Sequence, residues 1–261
     1  MTKYKALFLD IDGTIVTPDE TIEDSTKEAI AKVQQQGIHV FLATGRPLHE
    51  IQHITEQLQI DSLIGYNGAL AIMDNQTIVN EPMDSSLINH YIKTAKKLGN
   101  EMVLYTDKLN IYTNIKAPVV KEFIKQFHLK QNEQLHIQTL DNILGISIID
   151  VTDQEIQQYQ TNETIYFSKV NVESIPSSYD VIRETVNKGI SIKKLLEILG
   201  IPKESAIAFG DGMNDKGMLS NVGESFAMGN AHPDLIPYAK HQTTSVTESG
   251  IFNGLKSLGL L

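Results

Sequence analysis

The segment Ala6-Leu7-Phe8-Leu9-Asp10-Ile11-Asp12-Gly13-Thr14 decides the reading of the chain. Four apolar residues run without polar alternation into two carboxylates separated by one residue. An unbroken apolar run suits a strand covered on both faces, as in a parallel α/β sheet, where ligands gather at the carboxyl ends of the strands. Asp10 and Asp12 stand at such an end. Residues i and i+2 of an extended strand point to the same side, so both carboxylates are expected to face one crevice, and Gly13 lets the backbone turn away. Two acids in one pocket repel unless a cation joins them. Carboxylate oxygens are the ligands Mg2+ prefers, so the Asp-x-Asp pair suggests a magnesium site. The alternative is a polar turn closing a strand, since Asp and Gly are ordinary turn residues.

Outward from this stretch the chain alternates strand and helix. Thr21 to Gln36 carries Thr26, Ala29, Ile30 and Val33 at helical spacing, with Gly37 as a stop, and Ile38 to Ala43 is the next apolar run, ending in Thr44-Gly45-Arg46. Pro47 is placed to begin a helix with Leu48, Ile51, Ile54 and Leu58 inward, Ser62 to Tyr66 is a third strand ending at Asn67-Gly68, and a hairpin turns about Asp74-Asn75-Gln76. From Met83 the texture changes to locally paired strands with interspersed helices, including one from about Gln154, as far as Val186. The β-α pattern then returns with a helix over Ser191 to Leu199, a strand over Ala206 to Phe209, and the sequence Gly210-Asp211-Gly212-Met213-Asn214-Asp215 at its end. The expected organisation is therefore one α/β domain with a Rossmann-like parallel sheet, residues 1–82 and 187–261, interrupted by an inserted α+β domain of residues 83–186.

Composition narrows the functional classes. A net charge of -10 over 261 residues argues against nucleic acid or an anionic membrane as the main partner, but a few cations aimed into a pocket still hold one phosphate. The absence of Cys excludes disulfides, thiolate metal sites and a cysteine nucleophile. The first apolar segment is broken by Asp10 after four residues, too short for a signal-peptide core, and no stretch approaches a membrane-spanning helix, so a cytoplasmic location is expected. The oligomeric state is not legible.

Four polar sites therefore follow strands or precede helices: Asp10-Ile11-Asp12-Gly13-Thr14, Thr44-Gly45, Lys188-Gly189 and Gly210 to Asp215. In order and type they resemble the motifs of the haloacid dehalogenase-like (HAD) phosphohydrolases, and the long insertion resembles the large cap of the Cof-type subfamily. The resemblance implies a Mg2+-dependent phosphatase acting on small phosphorylated metabolites, mostly sugar phosphates. It implies that Asp10 attacks phosphorus to form an aspartyl-phosphate, and that Asp12 protonates the leaving alcohol and then activates water. Mg2+ would be held by Asp10, the backbone carbonyl of Asp12, and Asp211. Ile11 would contribute its backbone N–H to the phosphate, Thr44 and Gly45 a hydroxyl and N–H groups, and Lys188 a point charge. Asn214 would lie near the phosphate, and Asp215 would support Lys188 or a metal-bound water.

The chemistry agrees with these residue types independently of the name. A phosphate monoester dianion repels an anionic nucleophile, so transfer needs positive charge, in-line positioning and a proton donor for the leaving oxygen. Thr44 alone reads as a helix cap, and Lys188 alone as a solvated surface cation. Asn67 and Arg46 are open between substrate contact and loop structure, and Asn230 in Gly229-Asn230-Ala231 reads as loop geometry. Two other functions share these motifs: a phosphomutase that returns the phosphoryl group to a sugar, and a non-catalytic phosphometabolite binder.

Overall fold

The structure is a computed structural model and describes residues 3–136, 140–170 and 177–261. The opening strand β1 (Ala6–Leu9) is buried along its whole length, as its apolar run demands. Helix α1 (Asp24–Gln35) turns Thr26, Ala29, Ile30 and Val33 inward, and strand β2 (His39–Ala43) follows. The helix starts three residues later than its periodicity suggests, because Thr17, Asp19 and Thr21 close a hydrogen-bonded turn before it. Pro47 does not open a full helix. A single 3-10 turn, Leu48–Glu50, precedes helix α2 (Gln52–Leu58), and strands β3 (Ser62–Gly65), β4 (Leu70–Met73) and β5 (Gln76–Asn80) complete this part.

The middle of the chain forms helix α3 (Ser85–Leu98), strands β6 (Glu101–Tyr105) and β7 (Asn110–Tyr112), helix α4 (Pro118–Gln126), and strands β8 (Asn132–Gln134), β9 (Gly145–Ile149), β10 (Ile165–Lys169) and β11 (Ser178–Arg183). Asp84 caps α3 by accepting from the N–H groups of Ser86 and Leu87, and Gly99 ends it in the left-handed conformation. The helix expected from Gln154 is only a 3-10 turn, Ile156–Tyr159. Gln160 and Asn162 there spend their side chains on the backbone of the following turn, which competes with helix continuation. Strand β8 has no sequence signature, because Asn-Glu-Gln lacks apolar alternation.

The last part supplies helix α5 (Lys188–Leu199), strand β12 (Ala206–Gly210), the short helix α6 (Lys216–Ser220), strands β13 (Glu224–Ala227) and β14 (His241–Gln242), and helix α7 (Gly250–Ser257). One sheet has the order β14-β13-β12-β1-β2-β3-β4-β5, parallel from β14 through β3 and antiparallel at β4 and β5. The other has the order β10-β11-β9-β6-β7-β8, antiparallel except for β7 with β8. Strand β1 lies between β2 and β12, so successive connections diverge at its carboxyl end. That divergence is the switch point at which open parallel sheets leave a crevice.

Two compact units result, one of residues 1–46, 52–80 and 186–261 and the other of residues 47–51 and 81–185. In the first, Phe8 stacks on Phe41 and Phe209 on Phe226, with ring centroids 4.9 and 4.5 Å apart. Each fully buried ring contributes on the order of 2–3 kcal/mol. The second unit packs α3 against one sheet face through Tyr91, Met102 and Leu104, and α4 against the other through Val103, Tyr112 and Phe123. Pro47–Ile51 groups with the second unit rather than with residues 1–82. The cause is Glu50, whose carboxylate accepts from Asn110 Nδ2 at 2.6 Å and from the backbone N–H groups of Lys130 and Gln131.

Candidate active site

The residues at the carboxyl end of β1 are set by its pairing. Asp10 continues the ladder with its N–H donating to Phe209 O, and its side chain is buried at the meeting point of β1, β2 and β12. The Ile11 carbonyl accepts from Thr14, Ile15 and Val16, which turns the chain tightly and leaves the Ile11 side chain in the core. Gly13 at φ +77° completes that turn. A Cβ there would lie 2.2 Å from the Asp211 carboxylate, so only Gly lets the two loops meet.

Lys188 is the centre of the site. Its side chain is fully buried, and its ammonium donates to Asp10 Oδ1 at 2.6 Å and to Asp215 Oδ1 at 2.7 Å. Asn187 caps α5 by accepting from Ile190 N–H, which fixes where the helix, and with it Lys188, begins. Gly189 then allows α5 to touch α6, since a Cβ would stand 2.3 Å from Gly217 O. Asp215 directs its second oxygen to the N–H groups of Asp211 and Gly212, so it anchors both the lysine and the loop after β12.

Asp10, Asp211 and Asp215 bring carboxylate oxygens within 4.8 Å of one another. Burial, then the neighbouring Asp215 charge, push the Asp10 carboxyl well above the usual range, with Lys188 opposing. Asp211 is pushed up to about 6, first by burial and then by Asp215. Lys188 moves the other way from what burial alone would do, because Asp10 and then Asp215 hold it charged. A strongly held ammonium beside a carboxyl that resists ionisation looks contradictory. Burial is the first cause, and the charge count adds to it: one ammonium cannot neutralise three carboxylates. The surplus of two negative charges matches one divalent cation, and clustered carboxylate oxygens are the donors that a hard cation such as Mg2+ requires.

The rim is built differently. Asp12 is exposed, and both its oxygens are held by Arg46, with Nε donating to Oδ2 at 2.9 Å and Nη2 to Oδ1. Thr44 is buried and its hydroxyl accepts from Arg46 N–H, closing the turn after β2. Asn67, at φ +53°, donates its N–H to Thr44 O, and its side-chain oxygen accepts from Asn214 Nδ2 at 3.0 Å, a bridge beside Gly45.

The haloacid dehalogenase-like hydrolase profile matches residues 7–255. The chain belongs to that family. A protein of Bacillus subtilis strain 168 named "Putative phosphatase YkrA" is 34% identical over 98% of this chain and 98% of its own. The 5-amino-6-(5-phospho-D-ribitylamino)uracil phosphatase YitU of the same strain is 25% identical over 98% of this chain and 97% of its own. Among solved structures, the subclass IIB sugar phosphatase BT4131 superposes with a TM-score of 0.83 at 25% identity, covering 98% of this chain and 100% of that one.

In this haloacid dehalogenase-like hydrolase, Asp10, Lys188, Asp211 and Asp215 meet directly, whereas Asp12, Arg46, Thr44, Gly45, Asn67 and Asn214 form the rim. The acid that joins Asp10 and Asp211 in the cluster is Asp215, while the Asp12 side chain turns to Arg46. Asn230 ties loops together, in keeping with its reading as loop geometry. It donates to Gly13 O at 2.8 Å and reaches Asp211 Oδ2 at 3.4 Å, and its oxygen accepts from Val246 N–H. Thr14, which closes the Asp10 to Thr14 motif but carries no role of its own in the sequence reading, lies buried with its hydroxyl 3.4 Å from Asp211 Oδ1. Its place directly after Asp-x-Asp-Gly was the available signal.

Proposed function

We propose that the protein is a Mg2+-dependent phosphatase that hydrolyses small phosphorylated metabolites, sugar phosphates foremost, through an aspartyl-phosphate on Asp10. The observation that carries this reading is the buried Lys188 bridge between Asp10 and Asp215, with Asp211 alongside and Asp12 two residues away. Asp10, Asp211 and the Asp12 carbonyl would hold Mg2+, which when bound offsets the repulsion between a carboxylate nucleophile and a phosphate dianion.

Lys188 orients the Asp10 carboxylate from one oxygen and leaves the other to attack phosphorus. The Thr44 hydroxyl, with N–H groups of the Ile11 and Gly45 loops, receives phosphoryl oxygens. Asp12 gives its proton to the departing alcohol and then takes one from the water that opens the acyl phosphate. Arg46 must release Asp12 for that exchange, and Asn67 with Asn214 borders the same crevice. The domain reading, a catalytic core of residues 1–82 and 187–261 with residues 83–186 as a cap, belongs to this proposal, as does a cytoplasmic location. Among the described residues no helix is long and apolar enough to cross a membrane.

The test is phosphate release from a panel of phosphorylated metabolites with and without Mg2+, in the wild type and in Asp10→Asn. The wild type is expected to turn over only with the metal, and Asp10→Asn to fold but lose turnover. Full activity in Asp10→Asn would end the covalent route. Isomerisation with negligible phosphate release would assign a mutase instead.

A further inference from the structure

The cleft beside Asp12 holds a charge for which phosphoryl transfer has no use. A space of about 240 Å³ opens there, walled by Val16, Thr17, Pro18, Glu20 and Arg46. Its single cation is committed, because the Arg46 guanidinium holds both oxygens of Asp12. Glu20 is exposed and engages Arg46 only through the field between them, the closer Asp12 being the stronger partner.

The turn that presents Glu20 is well defined. Glu20 N–H donates to Thr17 O at 2.9 Å, and Asp19 Oδ1 accepts from the hydroxyls of Thr17 and Thr21. Glu20 itself sits at φ +60°, a left-handed conformation that Gly or Asn adopts at less cost. A carboxylate thus occupies a position for which local backbone chemistry would select another residue, and it lines the void next to the acid/base.

In the proposed reaction the leaving oxygen must meet Asp12, so the carbon skeleton on that oxygen lies beside Asp12. Asp12 and Glu20 line the same space, so the first few carbons lie beside the Glu20 carboxylate, whose field is screened least at low ionic strength. We propose that Glu20 sorts leaving groups by charge, admitting uncharged polyols and repelling those that carry a second anion such as a carboxylate or another phosphate. This rests on the phosphatase reading and names the substrate class for the same site.

The test compares kcat/KM for two matched pairs, glycerol 1-phosphate against 3-phosphoglycerate and glucitol 6-phosphate against 6-phosphogluconate. Each pair differs in a terminal carbon that is neutral in one member and a carboxylate in the other. Replacing Glu20 by Gln should lower the neutral-to-anionic preference by about three- to fivefold at low ionic strength, and less at about 0.5 M salt. Glu20→Lys should lower it further, and Glu20→Gly, which relieves the backbone while removing the charge, should match Glu20→Gln. A preference unchanged within about twofold in Glu20→Gln and Glu20→Lys would overturn the inference. So would a wild type that cleaves p-nitrophenyl phosphate but no polyol ester. If the wild type cleaves none of these esters with Mg2+, the phosphatase reading itself fails first.

Discussion

Replacing Lys188 by Met removes the one buried cation that the described residues place among the carboxylates while nearly conserving side-chain length, so its cost can be worked out from the site. The ammonium makes two charge-assisted hydrogen bonds, at 2.6 and 2.7 Å, from a fully buried position. Without it Asp10, which burial already holds above the ordinary carboxylate range, loses the charge that opposes that shift and either stays ionised in a poorly solvated site or takes up a proton. Breaking a buried ion pair by removing one partner costs about 3–5 kcal/mol. The protonation route sets a similar scale. Keeping one Asp protonated in the folded state costs roughly 5–6 kcal/mol at about pH 8, but only about 1–2 kcal/mol near pH 5, relative to an unfolded carboxyl of ordinary pKa.

The sign follows from proton counts. The variant's folded state binds more protons than its unfolded state, so its stability falls as pH rises above the ordinary carboxylate range. The chain has no Trp, so urea unfolding is followed by far-UV circular dichroism in metal-free buffer. The expected loss is about 3–5 kcal/mol near pH 8, shrinking by at least half near pH 5, with partial recovery if millimolar Mg2+ binds at Asp10 and Asp211. A loss below about 1 kcal/mol near pH 8, or one equal at both pH values, would refute the reasoning.

Mg2+ binding to the wild type should weaken by up to about tenfold per pH unit below about 6, because Asp211 must give up its proton first; calorimetric titration at several pH values checks this. In metal-free protein the same raised pKa makes the folded state bind the extra proton, so Asp211 should lower stability as pH climbs from the ordinary carboxylate range through about 6. Gly189→Ala should cost about 2 kcal/mol or more and reduce kcat, because the new methyl group would sit 2.3 Å from Gly217 O and shift the start of α5, which carries Lys188. Unfolding and single-turnover measurements on that variant test both halves.

Much of this fold is legible in the chain because its central strands have no other reading. Ala6–Leu9 and Ala206–Gly210 are buried on both faces and end in acids or Gly, so burial and strand end coincide with the chemistry. The buried position of Lys188 was not legible. A Lys at the head of a helix is usually solvated, and only Asp10 and Asp215, distant in sequence, make its burial affordable. Arg46 was ambiguous for the same reason, since its partner Asp12 lies 34 residues away. The partners of Asn230 were not legible, because an uncharged Asn beside a single Gly carries no charge pattern. Strand β8 and the turn at Ile156–Tyr159 depend on side-chain bonds to the backbone, which apolar periodicity does not encode.

Pro47–Ile51 changes how this molecule could be recombined. An insertion that entered and left its host once could be traded as one cassette between chains. Here the boundary is crossed four times, and the five-residue piece begins directly after Arg46. A chimera that exchanged residues 81–185 alone would strand Glu50 without Asn110 or the Lys130 and Gln131 amides that receive it. Successful grafting of a different second unit therefore requires two co-inherited fragments. The larger one must keep its partners for a short peptide that abuts the residue gripping Asp12.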